Sequence, residues 1–109
     1  MEISTSFANS IVIISLEGRF DAQQTEAVRD QIGTALMKTN KLVVDLNGVN
    51  FMDSAALATL VQGMKHSRQA GGDLHVCNLQ QPVRIIFELT RLDKAFVLYD
   101  SVKEAHSSF

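Results

Sequence analysis

Between Val43 and Leu57 the sequence changes its period. Val43, Val44 and Leu46 are β-formers, Asn47-Gly48 reads as a turn pair, and from Leu57 onward apolar residues recur at helical spacing. Where strands alternate with helical patterns of about 10–15 residues, as they do on either side of this stretch, right-handed crossover units and a largely parallel sheet are implied, an α/β arrangement. The same stretch delivers Asp53 and Ser54 to the first turn of the helix. Either side chain can accept a hydrogen bond from an unpaired first-turn N–H, worth ~1 kcal/mol. The position also suits an anion: a phosphate on Ser54 would carry roughly −1.5 to −2 charges to the helix end that favours negative charge. Position alone leaves both the cap and the modification site open.

The flanking sequence repeats the alternation. Met1 to Ala8, with Ile3 and Phe7 among Ser and Thr, reads as an edge strand, and Asn9-Ser10 turns it into Ile11-Val12-Ile13-Ile14-Ser15-Leu16. Four β-branched residues in a row predict a strand covered on both faces or at the sheet centre. Asp21 and Gln24 have capping-box spacing for a first helix with Ala22, Thr25, Val28, Ile32, Ala35 and Leu36 on its inner face and Asn40 as its stop. Lys41 to Leu46 is the next strand. In the second helix Leu57, Leu60, Val61 and Met64 form the apolar stripe, Lys65, His66 and Arg68 lie at the C-terminal end, and Gly71-Gly72 is a left-handed C-cap.

Asp73 to Cys77 predicts another strand, and Pro82 opens a third helix with Val83, Ile86, Phe87 and Thr90 inward. Leu92-Asp93 leads to a last strand at Phe96 to Tyr99. Ser101 and Glu104 form a capping box for a short terminal helix that carries Val102 and Ala105 inward. The expected order is ββαβαβαβα: an α/β fold with a mixed, mostly parallel sheet of four to five strands, about four helices, and one domain over residues 1–109.

Composition bears mainly on what the chain does not do. A net charge of −2 without a basic cluster argues against a direct nucleic-acid partner. No apolar run approaches the ~20 residues of a membrane span, so no membrane insertion is expected. The N-terminus lacks the pattern of a signal peptide, and the protein is expected in the cytoplasm. Cys77, the one cysteine, reads as a buried thiol in the run Leu74 to Cys77.

His66, His75 and His106 lie on different elements without partners at metal-ligand spacing, so no metal site is expected. Gly71-Gly72 is not a phosphate loop, and the G-x-S-x-G elbow is absent around Ser54. Asp45 at a strand end suggests an aspartyl-phosphate receiver, whose Mg²⁺ needs further carboxylates close by; the receiver family supplies them as an acidic pair after its first strand, where Leu16-Glu17-Gly18-Arg19 has one acid and one base. Neither an enzyme activity nor a cofactor is expected.

Phe51-Met52-Asp53-Ser54, followed by Leu57, Gly71-Gly72 and Val83 to Asp93, resembles the STAS-domain family of bacterial anti-sigma factor antagonists. Gly18-Arg19-Phe20-Asp21 resembles the family's Gly-Glu-Leu-Asp at the entry to its first helix, Val43-Val44-Asp45-Leu46 its third strand, and Ala105 an alanine of its last helix. The resemblance implies a STAS fold and partner switching. Ser54 would be phosphorylated by an anti-sigma factor serine kinase and restored by a metal-dependent serine phosphatase, and only the unmodified protein would bind the kinase. It also implies a partner-binding surface of Asp21, Asp53, Ser54, Ala55 and Ala56. Where the family usually has Ser or Thr, Gly, then Leu-Gly, this chain has Ala55-Ala56-Leu57-Ala58, which stiffens the helix start. The family's other use, as an accessory or scaffold subunit of stress-signalling or transporter complexes, is the alternative.

Overall fold

The computed structural model describes residues 1–109. Five strands lie side by side in sequence order: β1 (Glu2–Ala8), β2 (Ile11–Glu17), β3 (Lys41–Gly48), β4 (Asp73–Cys77) and β5 (Leu98–Tyr99). Five helices accompany them: α1 (Thr25–Leu36), α2 (Ser54–Gln69), α3 (Gln81–Leu89), α4 (Leu92–Ala95) and α5 (Val102–Ser107). Only β1 and β2 are antiparallel, joined through Asn9 and Ser10 at φ 54° and 66°, the two positive-φ residues that a tight hairpin turn demands. The β2–β3, β3–β4 and β4–β5 pairings are parallel.

Alternation along the strands divides the apolar residues between two cores. Val12, Ile14, Leu16, Leu42, Val44 and Leu46 face α1, α2 and α3, whose Val28, Ile32, Leu60, Met64, Val83 and Phe87 complete the larger core. Ile11, Val43 and Cys77 face the opposite side, where α5 lays Ala105 over them. The β-branched run of β2 is thus covered on both faces, although the central strand of the sheet is β3.

Several local expectations change. Asp21 to Gln24 forms a separate turn: Asp21 Oδ1 accepts from Gln23 N at 3.0 Å, and α1 starts only at Thr25, with no side-chain bond from its N-cap, Gln24. Ala22 lies outside that helix and is exposed, within the turn that Gln24 N closes by donating to Asp21 O at 2.9 Å. Asn40 does not stop α1, which ends at Leu36; its side-chain amide instead donates to Ala70 O at 2.9 Å.

Asn47-Gly48 is no turn but the end of β3, where Gly48 pairs with Glu17 after a register shift. A Cβ at Gly48 would stand 2.9 Å from Glu17 Cα, so glycine is there for the close approach of two strands. Finally, the sequence pattern does not predict α4, and the last strand spans Leu98–Tyr99 rather than Phe96 to Tyr99. Arg91 at φ 64° breaks the chain between α3 and α4, and Thr90 is an exposed C-cap rather than an inner-face residue.

The C-terminus of α2 follows its sequence pattern closely. Gly71 N donates to Arg68 O at 3.0 Å and Gly72 N to Ser67 O at 2.9 Å, the paired bonds of a Schellman motif. A Cβ on Gly72 would fall 1.8 Å from Asn40 O, whereas one on Gly33, within α1, would meet nothing within 4 Å. Gly72→Ala should therefore lower stability by about 1–3 kcal/mol through overpacking. Gly33→Ala should raise it by about 0.5–1 kcal/mol. Urea unfolding of the two variants, expected to shift in opposite directions, checks both.

Candidate functional site

Parallel pairing of β2 and β3 brings the loops that follow them to one edge of the sheet, where backbone bonds join them. Gly18 N donates to Gly48 O at 2.9 Å and Phe20 N to Phe51 O at 3.1 Å. Phe20 also pairs with Met52 in a short parallel bridge, and both side chains are buried. Two apolar anchors thus hold the polar residues beside them, Arg19 and Asp21 on one loop and Asp53 and Ser54 on the other.

Asp53 is the N-cap of α2. Its Oδ1 accepts from Ala56 N at 2.9 Å, and its Oδ2 accepts from Ala22 N at 2.9 Å across the gap between the loops. Both carboxylate oxygens are therefore engaged with backbone donors. Ser54 is the first helical residue, exposed, and its hydroxyl makes no hydrogen bond within the chain. The cap is Asp53, and Ser54 is free.

Asp21 lines the same surface, its Oδ2 3.2 Å from Arg19 Nε. The Arg19 guanidinium lies 3.6 Å from the centroid of the Phe51 ring. An exposed pair of this kind contributes ~0–1 kcal/mol, so its effect is to place a cation rather than to stabilise the fold. Of the remaining expected surface residues, Ala55 is half-buried and Ala56 is fully buried. Ala56 therefore cannot touch a partner: its methyl faces the core, and what it presents to the site is the N–H bound by Asp53.

The arrangement offers an accessible hydroxyl at the positive end of a helix, flanked by two carboxylates and one cation. No base is bonded to Ser54 Oγ, so the chain does not itself activate that hydroxyl. Asp45 is engaged elsewhere: its Oδ1 accepts from Asn47 N and Asn78 Nδ2, both at 3.0 Å, tying β3 to the loop after β4. His75 is buried, 3.3 Å from Asp73 Oδ2 through Nε2 and stacked on Phe109 at 4.0 Å between centroids. His106 Nε2 lies 3.1 Å from Ala8 O, and His66 is exposed on α2. Sequence reasoning missed the Arg19–Phe51 stack and the Ala22–Asp53 bond, because neither leaves a signal at sequence separations of about thirty residues.

Comparison with known proteins bears on the family and the fold. A family model described as "STAS domain" matches residues 2–105. The chain is 27% identical over 103 residues to the anti-sigma F factor antagonist of Paenibacillus polymyxa, covering 93% of this chain and 88% of that one. Its fold superposes with a TM-score of 0.88 on an anti-sigma factor antagonist from Mycobacterium paratuberculosis, at 25% identity and 98% and 92% coverage. The anti-sigma factor antagonist SpoIIAA in its unphosphorylated form superposes at 0.85, with 21% identity and 98% and 95% coverage.

Two outcomes follow from the chemistry. Asp53→Ala removes both bonds and should cost about 2 kcal/mol in urea unfolding, while Asp53→Asn keeps one acceptor and should fall between it and the parent. Burial, reinforced by the Asp45 charge, pushes the Cys77 thiol from its ordinary 9.0 up to about 12. The stability this group contributes is complete below about pH 9, where the unfolded thiol is also neutral, and is lost as the pH rises towards 12. At about pH 8 a disulfide reagent should label Cys77 only after denaturation.

Proposed function

The chain belongs to the STAS domain family, and on that premise we propose that residues 1–109 act as one module, an anti-sigma factor antagonist working by phosphorylation-controlled partner switching in the cytoplasm. The observation that carries this reading is the division of labour at the start of α2: Asp53 caps the helix, leaving the Ser54 hydroxyl exposed and without a bond. Ser54 is therefore not needed as a cap. Its hydroxyl is a phosphoacceptor on the approach surface formed with Asp21, Asp53 and the half-exposed Ala55.

In this mechanism the unmodified protein binds an anti-sigma factor serine kinase and draws it away from its sigma factor. The kinase supplies ATP, the metal ion and the base that takes the Ser54 proton; the Oγ–P bond forms as the bond from the γ-phosphate to ADP breaks. A metal-dependent serine phosphatase hydrolyses the ester and returns the hydroxyl. The phosphate adds its charge beside Asp21 and Asp53, and unpaired like charge in an interface costs several kcal/mol, with each ~1.4 kcal/mol a factor of ten in affinity. One modification therefore suffices as a switch. The relatives bearing the antagonist name support the role, and SpoIIAA, whose fold this chain shares, has been solved in a phosphorylated form.

The test begins with intact mass and peptide mapping of the protein from its own cells, where a phosphate on Ser54 is expected. Binding to the cognate anti-sigma factor is then measured for two variants. Ser54→Ala should bind at least as well as the parent, and Ser54→Asp at least ~10-fold more weakly. Equal binding by both, with no phosphate in any growth state, would favour an accessory subunit without sigma-factor control.

A further inference from the structure

From Ala55, beside Ser54, a groove runs between α1 and α2 to Leu36 and His66. Its first cavity, about 210 Å³, is bounded by Thr25, Ala55 and Ala58; the second, about 400 Å³, by Ile32, Gly33, Leu36, Gly63 and His66. Arg29, Thr59 and Gln62 line both, so the two are continuous. The two glycines differ in what they do for the fold. A Cβ at Gly63 would stand 3.0 Å from Ile32 Cδ1 and 3.1 Å from Leu74 Cδ1, so Gly63 lets α2 pack closely. A Cβ at Gly33 would meet nothing within 4 Å. Glycine inside a helix is unfavourable relative to alanine, and the packing of this chain does not call for it at Gly33.

The rims carry a second observation. Arg29 stands on the α1 side and His66 on the α2 side, and Arg29 makes no ion pair within the chain although Glu26 and Asp30 share its helix. A trough with an apolar floor and an unpaired cation at its edge is complementary to one face of an amphipathic helix that carries a carboxylate. Over its twelve residues α1 offers a straight edge about 18 Å long, or about three turns of such a helix.

We propose that the α1–α2 groove seats an amphipathic helix of the anti-sigma factor, with its apolar side chains over Gly33 and Gly63 and a carboxylate on Arg29. This rests on the reading of the chain as an anti-sigma factor antagonist. The groove leads away from Ser54, so one continuous surface carries both the affinity and the switch: the helix holds the partner, and a phosphate at the Ala55 end repels what lies against it.

The test titrates the full chain with the purified anti-sigma factor of the same organism, comparing the parent with Gly33→Leu, Gly33→Ala, Arg29→Glu and Ser54→Asp, and with Lys103→Glu on the far face of the sheet as control. Gly33→Leu and Arg29→Glu are each expected to weaken binding at least ~10-fold, with Gly33→Ala intermediate, Lys103→Glu unchanged and no urea midpoint lowered for the Gly33 variants. Parental affinity in both Gly33→Leu and Arg29→Glu, with Ser54→Asp weakened, overturns the groove and leaves the switch standing. Loss in Gly33→Leu with no effect of Ser54→Asp keeps the groove and overturns the switch. Parental affinity in Arg29→Glu alone overturns the carboxylate contact. Self-association of the parent that Gly33→Leu abolishes assigns the groove to a second copy and overturns the proposal, and a parent that binds no anti-sigma factor overturns both readings.

Discussion

A single carboxylate organises the functional end of this molecule. Asp53 accepts one backbone N–H from the first turn of α2 and another from Ala22 in the turn ahead of α1. One oxygen thus satisfies an orphan donor of its own helix, while the other fastens that helix to the preceding crossover. Because the cap is made by the residue before it, Ser54 has no structural duty. Ala22 is held beside Asp21 and Arg19, which the Phe20–Met52 bridge already brings onto the same surface. The position and freedom of the exposed hydroxyl both follow from where the Asp53 carboxylate is spent.

That carboxylate can be spent there only because the two loops are already close. In parallel sheets the loops at the C-terminal ends of adjacent strands share an edge, which is where such folds place their sites. Here the edge is made tight by Gly48, whose lack of a side chain lets β3 approach Glu17, and by the buried pair Phe20 and Met52. Apolar burial supplies the stability, and the polar bonds select the geometry. The opposite face of the sheet is closed by α5, whose Ala105 packs on Ile11, Val43 and Cys77. That burial keeps the only thiol neutral and inert.

Legibility in the sequence followed the range of the interaction concerned. The hairpin at Asn9-Ser10, the glycine stop of α2 and the cap of α5 by Ser101 were readable because each is settled within a few residues. Asp21 to Gln24 had a capping-box pattern and formed a separate turn instead, in which Asp21 Oδ1 accepts from Gln23 N and Asp21 O from Gln24 N, while Ala22 N is bound by Asp53 from the other loop. Asn47-Gly48 looked like a turn and continued the strand, since pairing with Glu17 extends β3 beyond its apolar run. The single turn of α4 is too short for any period to register. Alternation of apolar residues could not tell Ala55 from Ala56, although one is half-exposed and the other buried.

By itself, the sequence determined the class of fold, the order of nearly all its elements and the place of Ser54 at the start of a helix. Strand and helix periods, turn residues and caps are local properties of the chain, and hydrophobic burial enforces them wherever they agree. Only the tertiary structure decided that Asp53 rather than Ser54 is the cap, that Arg19 lies on Phe51, and that α1 and α2 leave a groove open above Gly33. Each of these depends on the distance between segments far apart in the chain. Those distances are set by the packing of helices on a sheet, which no local pattern encodes.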